Sequence, residues 1–233
     1  MTSEIRIISS MATRALLADL VELFHAKSKR RVSVESLGGV DAAKRVQAGE
    51  AFDIVMLTSN AIEQLIAAGR IVAGSRVDLV HSGVAVAVRA GAPQPDITSE
   101  EAVKRAVLSA HKLSYSTGPS GVQLAKLFER WGIAEQIAPR IVQAPPGVPV
   151  GTLVARGEVE LGFQQLSELM HLQGIDVLGP LPPTIQITTT FSAGLSATCT
   201  QPDAAREVLA FMTSPAADAA KRSNGMEPAL VRT

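Results

Sequence analysis

The chain has 233 residues, of which 46% are apolar and 19% charged, and its 22 basic and 22 acidic residues cancel. This composition can bury a full core and excludes a disordered chain, and the even charge gives no sign of a nucleic-acid or membrane surface. Aromatic residues make up only 3%, so aliphatic side chains must fill the interior, which is typical of buried parallel strands covered by helices.

The first third of the chain alternates strands and helices. Strands are predicted at 4–8, 31–36 and 53–57, and helices at 14–26, 42–47 and 61–68. Thr13, Asp41 and the run Thr58-Ser59-Asn60 stand where helix caps are expected. This β-α-β-α-β-α order predicts a parallel sheet with helices on both faces.

Two long β-rich stretches then bracket the middle of the chain. The first, 77–89, is interrupted at His81-Ser82-Gly83, and the second, 185–200, at Ser192-Ala193-Gly194. Between them we expect strands at 113–116, 141–143 and 160–164, with helices at 99–110, 122–131, 133–137, 148–155 and 166–170. Helices at 204–212 and 215–222 follow. The chain is therefore predicted to cross to a second lobe and return, with 1–81 plus 194–233 as lobe one and 83–190 as lobe two.

A repeated pattern supports two lobes of similar plan. Residues 46–59 and 154–167 each read as a helix end, a Gly-Glu pair and a short apolar strand that ends in polar residues. At the same offset Ser9-Ser10 falls on Thr117-Gly118, and Leu16 falls on Leu124. Two such α/β units predict function in the cleft between them.

The loops at the carboxyl ends of the predicted strands are rich in hydroxyls, small residues and backbone N–H groups at helix starts, and they contain no Lys or Arg. That chemistry suits an anion held by neutral donors. Helix capping and turns would explain any one of these residues, but polar side chains closing an apolar strand, as at Gln164-Gln165, are harder to explain structurally. The candidate ligand-binding residues are Ser9, Ser10, Gly38, Gly39, Thr58, Ser59, Ser82, Thr117, Ser120, Gly121, Val122 and Gln164.

Catalysis by proton transfer would require a base, and three side chains qualify: His81, Asp53 and Glu168. A solvated histidine and a structural aspartate are the competing interpretations of the first two. The sequence shows no metal-ligand cluster, catalytic triad or nucleotide-binding loop, so neither a metal nor a cofactor is expected. The single Cys199 allows no internal disulfide, and its apolar, Thr-rich surroundings favour an inert buried thiol.

Four segments resemble the molybdate-binding-protein-like branch of the bacterial periplasmic solute-binding proteins: 156–168, Gly179-Pro180-Leu181-Pro182, Phe191-Ser192-Ala193-Gly194 and 224–228. The resemblance covers nearly the whole chain. It implies an α/β, two-lobed type II periplasmic-binding-protein-like fold with two hinge strands, at 81–84 and 190–194, and a ligand in the cleft. The branch also includes an aconitate isomerase.

The resemblance also bears on the ligand. Ser9, Ser10 and the amides of 120–122 match positions that hold an oxyanion in the molybdate-type proteins. Gly38 and Gly39 stand where those proteins have a serine-bearing loop, and the missing hydroxyl and added space favour a larger ligand such as a small carboxylate.

The leading hypothesis is a solute-binding protein that closes on a small anionic ligand, an oxyanion or a small carboxylate, related to molybdate ABC-transporter binding components. The alternative is a cofactor-independent isomerase acting on a small di- or tricarboxylate such as aconitate. A transcriptional co-inducer module is a third class, but no helix-turn-helix precedes the domain.

Partners and location follow from the same features. We expect a small anion as partner, with neither nucleic acid nor membrane insertion. Since no signal peptide precedes the first strand, the expected location is the cytoplasm. A chain whose leader had been removed and replaced by Met would have this same sequence. In that case the expected location is the periplasm, with an ABC-transporter permease as partner.

Overall fold

The computed structural model describes residues 4–145 and 147–229. The strands are β1 (Ile5–Ser10), β2 (Val32–Leu37), β3 (Ile54–Thr58), β4 (Val77–Arg89), β5 (Leu113–Tyr115), β6 (Leu161–Gln165), β7 (Ile175–Pro180), β8 (Thr188–Leu195) and β9 (Met226–Pro228). The helices are α1 (Arg14–His25), α2 (Gly39–Gln47), α3 (Ser59–Ala67), α4 (Glu100–Ser109), α5 (Pro119–Arg130), α6 (Ala134–Ile137), α7 (Val150–Ala155), α8 (Leu166–Leu169), α9 (Pro202–Thr213) and α10 (Asp218–Ser223). No helix in these ranges has the length and apolarity that a bilayer span requires.

The chain forms two compact units. Unit 1 falls within 1–82 and 190–233, and unit 2 comprises 83–189. The chain therefore passes from one unit to the other twice, first inside β4 and then inside β8.

Unit 1 is built on three parallel strands. β1 pairs with β2 on one side and with β3 on the other, and β8 joins β3 in antiparallel orientation. β9 pairs with the first half of β4, also antiparallel. One face of the sheet packs on α1 and α9 through residues such as Leu17, Leu20 and Val208, and the other packs on α2 and α3 through Val46 and Ile62. Both faces are therefore covered, as the strand–helix alternation predicted.

Unit 2 repeats that plan with fewer strands. β6 pairs with β5 in parallel and with the second half of β4 in antiparallel orientation, and β7 lies along the other edge of β4. Its largest apolar cluster joins α4 and α5 to these strands and includes Phe128 and Phe163, whose rings meet edge-on at 6.3 Å between centroids. The opposite face is covered by α7 and α8.

The predicted interruptions of the two long strands are wrong. β4 runs unbroken from Val77 to Arg89, and in β8 the residues 192–194 stay in register with β3. Their glycines reflect close packing instead. A Cβ on Gly83 would lie 2.9 Å from the Gln186 side-chain nitrogen, and one on Gly194 would lie 2.8 Å from Ile71.

Other boundaries also differ from the prediction. α2 begins at Gly39 and not at residue 42, because the Ala42 N–H already bonds the Gly38 carbonyl at 2.9 Å. Asp41 therefore lies in the first turn and is not the cap. The predicted strand at 141–143 reduces to a single bridge between Ile141 and Leu113, and β9 was not predicted.

Candidate functional site

The carboxyl ends of the three parallel strands of unit 1 share one edge of its sheet. Ser9 and Ser10 end β1 in register with Ser36 and Leu37 at the end of β2, and Thr58 ends β3. Because parallel strands deliver their following loops to the same edge, the predicted residues from these three loops belong to one region of unit 1.

Ser9 and Ser10 differ in how their hydroxyls are satisfied, although both side chains are buried. The Ser9 hydroxyl lies 2.7 Å from the Ser36 hydroxyl and also donates to the Ser10 carbonyl. The Ser10 hydroxyl has no hydrogen-bond partner among the described residues. Since leaving a buried hydroxyl unpaired costs about 1–3 kcal/mol, Ser10 is the stronger ligand candidate of the two.

Gly38 and Gly39 form the start of α2 beside Ser10. Gly38 is the N-cap, with φ −54°, a value that any residue adopts, and Gly39 is the first helical residue. A Cβ on Gly39 would lie 3.7 Å from the Ser10 Cβ, so the first turn of α2 lies next to the unpaired hydroxyl. Neither glycine is demanded by backbone conformation, which argues against a simple turn.

Thr58 and Ser59 start α3. Thr58 is the N-cap, but its side chain makes no capping hydrogen bond. The predicted role of Thr58 as a hydroxyl cap is therefore wrong. The side chains of Thr58 and Ser59 are both partly exposed.

His81 and Ser82 lie in β4 opposite β9, in unit 1. The His81 Nδ1 lies 3.0 Å from the Thr190 hydroxyl, so this ring is held by a neighbouring side chain. Ser82 is buried, and its hydroxyl has no partner among the described residues. Asp53, the second candidate base, accepts the Arg6 backbone N–H at 2.9 Å, which supports a structural role.

In unit 2 the start of α5 follows the carboxyl end of β5. Ser120 and Gly121 are buried in its first turn, while Thr117 and Val122 are exposed. A Cβ on Gly121 would lie 1.5 Å from the Ser116 carbonyl oxygen, so this position must be glycine for the helix to start here. Packing alone therefore explains why residue 121 is a glycine, so its presence is no evidence that its backbone amide binds a ligand.

Gln164 and Gln165 end β6, next to β5, and both side chains are buried. The Gln164 amide donates to Glu168 Oε1 at 2.9 Å, and the Gln165 amide donates to the Thr189 hydroxyl at 2.8 Å. Both amide oxygens lack partners within the described ranges. Burial raises the pKa of Glu168 to about 7, and the Gln164 hydrogen bond opposes that effect only in part.

Two serines of unit 2 were missed by sequence reasoning. The hydroxyls of Ser114, inside β5, and Ser167, in α8, are buried without partners in the part of the chain that the structure describes. The available signal was a small polar residue inside an apolar stretch, a pattern that ordinary strands and helices also show.

Two α/β units joined by two strands, each with hydroxyls and helix starts at the carboxyl ends of its strands, define the type II periplasmic-binding-protein class. The model of the family described as bacterial extracellular solute-binding protein matches residues 5–227. The chain belongs to this family.

A curated relative resembles the chain over most of its length. The chain is 39% identical over 185 residues to a protein from Pseudomonas sp. named aconitate isomerase, covering 79% of this chain and 70% of the relative.

Solved structures show the same fold at much lower identity. The periplasmic molybdate-binding protein of Azotobacter vinelandii superposes with a TM-score of 0.81 at 17% identity, covering 98% of this chain and 100% of that one. The substrate-binding domain of a putative molybdenum ABC transporter from Clostridium difficile superposes with a TM-score of 0.76 at 14% identity, covering 97% and 99%. At these identities the likeness concerns the fold alone.

Proposed function

We propose that the protein binds a small carboxylate anion through uncharged donors. The observation that carries this proposal is the buried Ser10 hydroxyl, which has no partner among the described residues and lies beside the first turn of α2. A native fold rarely leaves such a group unpaired, so a ligand is the natural partner.

The surroundings of Ser10 favour a negatively charged ligand. α2 is nine residues long, and its first backbone N–H groups have no partner within the helix. They carry the positive end of the helix dipole, which favours an anion at that point. Gly38 and Gly39 leave room where a side chain would otherwise stand, which favours a carboxylate larger than a tetrahedral oxyanion.

A thermal-shift and calorimetry panel tests the proposal. The panel contains cis-aconitate, trans-aconitate, citrate, sulfate and molybdate, and a ligand that binds the folded protein raises its melting temperature with the logarithm of ligand excess. We expect the carboxylates to give the larger shifts. A shift with molybdate alone would overturn the carboxylate preference.

Ser10→Ala and Ser9→Ala form a matched pair of variants. Ser10→Ala removes a hydroxyl that bonds nothing in the described protein, so we expect unchanged or higher stability without ligand and about tenfold weaker binding. Ser9→Ala breaks the bond to Ser36, so we expect a loss of about 1 kcal/mol of stability and little change in affinity. Equal carboxylate affinity in Ser10→Ala and the unsubstituted protein would refute the role of Ser10.

The second candidate function is isomerisation of a small di- or tricarboxylate. Two observations favour it: the 39% identity to a protein named aconitate isomerase, and a partly buried carboxyl, Glu168, whose pKa of about 7 suits proton transfer near neutral pH. Interconversion of the two aconitate isomers, followed by absorbance or NMR, tests it directly.

A further inference from the structure

The unpaired polar atoms of unit 2 fall on three neighbouring elements, β5, β6 and α8. Four buried side-chain atoms lack a hydrogen-bond partner among its described residues, and all four lie in β5 or between the end of β6 and the first turn of α8: Ser114 Oγ, Gln164 Oε1, Gln165 Oε1 and Ser167 Oγ. β5 and β6 are paired in parallel, so Ser114 and the two glutamines come from adjacent strands, and Ser167 comes from the helix that follows β6. Unpaired buried groups such as Gln164 Oε1 and Ser167 Oγ are expected where a ligand completes the hydrogen bonding.

Glu168 adjoins two of these residues, Gln164 and Ser167. It follows Ser167 in α8, and its Oε1 accepts a hydrogen bond from the Gln164 side-chain N–H, with 2.9 Å between Nε2 and Oε1. No Lys, Arg or His in the described ranges forms an ion pair with it. A partly buried carboxyl without a cationic partner favours its neutral form, and it can therefore take up and release a proton near pH 7.

The other two candidate bases are already engaged in unit 1. His81 is held by Thr190, and Asp53 accepts a backbone N–H of β1. Glu168 has one neutral donor and adjoins unsatisfied groups, so it is the candidate whose surroundings suit proton transfer.

We propose that Glu168 is the catalytic base of an allylic proton shift in an unsaturated di- or tricarboxylate. This inference rests on the isomerase candidate above. The ionised carboxylate takes a proton from the methylene group next to the carbon–carbon double bond, and the electron pair of that C–H bond spreads over the three-carbon allyl system. The carboxylic acid so formed returns the proton to the far allyl carbon. The double bond moves by one position, its geometry can change, and no oxidant or reductant is consumed.

Gln164 is the positioning residue for this step. Its amide donates to the ionised Glu168 carboxylate; when Glu168 holds the proton, the carboxyl O–H donates and the amide oxygen accepts after the amide group rotates by 180°. The same rotation turns the N–H₂ group toward the place where its oxygen now lacks a partner. Gln164 can therefore follow the protonation state of Glu168.

Deuterium exchange in D₂O, followed by proton NMR with cis- and trans-aconitate as probes, tests the assignment. The unsubstituted protein should exchange the methylene hydrogens while it interconverts the isomers. Glu168→Gln should lower both rates by about a hundredfold or more, the size expected for loss of a general base, and Glu168→Asp should recover part of them. Glu129→Gln, an exposed carboxyl on α5, is the matched control and should leave both rates unchanged.

Calorimetry on the same samples separates catalysis from binding. Glu168→Gln should bind both probes within about threefold of the unsubstituted protein, because the amide keeps the shape of the carboxyl. Exchange by Glu168→Gln at more than about a tenth of the original rate would refute the assignment. If the unsubstituted protein binds the probes but exchanges no hydrogen, the assignment of Glu168 as a base is refuted and the proposed carboxylate binding stands. If it binds neither probe, both proposals are refuted.

Discussion

Replacement of Glu168 by glutamine is expected to make the folded protein more stable above neutral pH and to leave its stability near pH 4 unchanged. Burial raises the pKa of this carboxyl from its ordinary 4.5 to about 7. Below pH 4.5 the group is protonated in both the folded and the unfolded chain. Between the two values only the unfolded chain ionises, so the free energy of unfolding falls as pH rises, and the loss is complete above about pH 7.

The size of the effect follows from the two pKa values. Each pH unit between them corresponds to about 1.4 kcal/mol, so the full difference is about 3 kcal/mol. Since the Glu168 side chain keeps some solvent contact, we expect the free energy of unfolding to fall by about 2 kcal/mol over this pH range. Glutamine stays neutral and can still bond Gln164, so Glu168→Gln should gain about this amount near pH 8.

Urea unfolding at about pH 4 and about pH 8 measures the difference. Glu129→Gln, on the exposed surface of α5, should stay within about 0.5 kcal/mol of the unsubstituted protein at both values. Equal stability of Glu168→Gln and the unsubstituted protein at both pH values would show that the carboxyl is not desolvated, and the physical basis for its raised pKa would be lost.

Three further changes test the placement of single residues. Gly121→Ala should cost about 2–3 kcal/mol in urea unfolding, because its methyl group would overlap the Ser116 carbonyl; full stability would contradict the observed start of α5. Ser99→Ala should cost about 1 kcal/mol, since the Ser99 hydroxyl accepts the Ala102 N–H at the start of α4; no loss would mean that water replaces the cap. His81→Ala should leave ligand affinity within about twofold in calorimetry, because the ring bonds Thr190; a tenfold loss would place His81 in the site.

The architecture was largely readable from the sequence because it depends on local periodicity. Alternating apolar strands and amphipathic helices predicted the parallel β1, β2 and β3 with helices on both faces, and this is confirmed. The error at 81–83 and 192–194 arose because small and polar residues usually interrupt strands. Here they continue β4 and β8, since the space beside Gly83 and Gly194 is filled by Gln186 and Ile71.

The chemical character of the candidate site was also readable, but not the state of each side chain. The order of strands and loops determined that hydroxyls, glycines and glutamines without Lys or Arg would follow the strands. Only the tertiary structure decided that Ser9 is paired and Ser10 is not, because the partner hydroxyl of Ser36 comes from another strand. Likewise, the raised pKa of Glu168 depends on burial by residues distant in the chain, which no local pattern specifies.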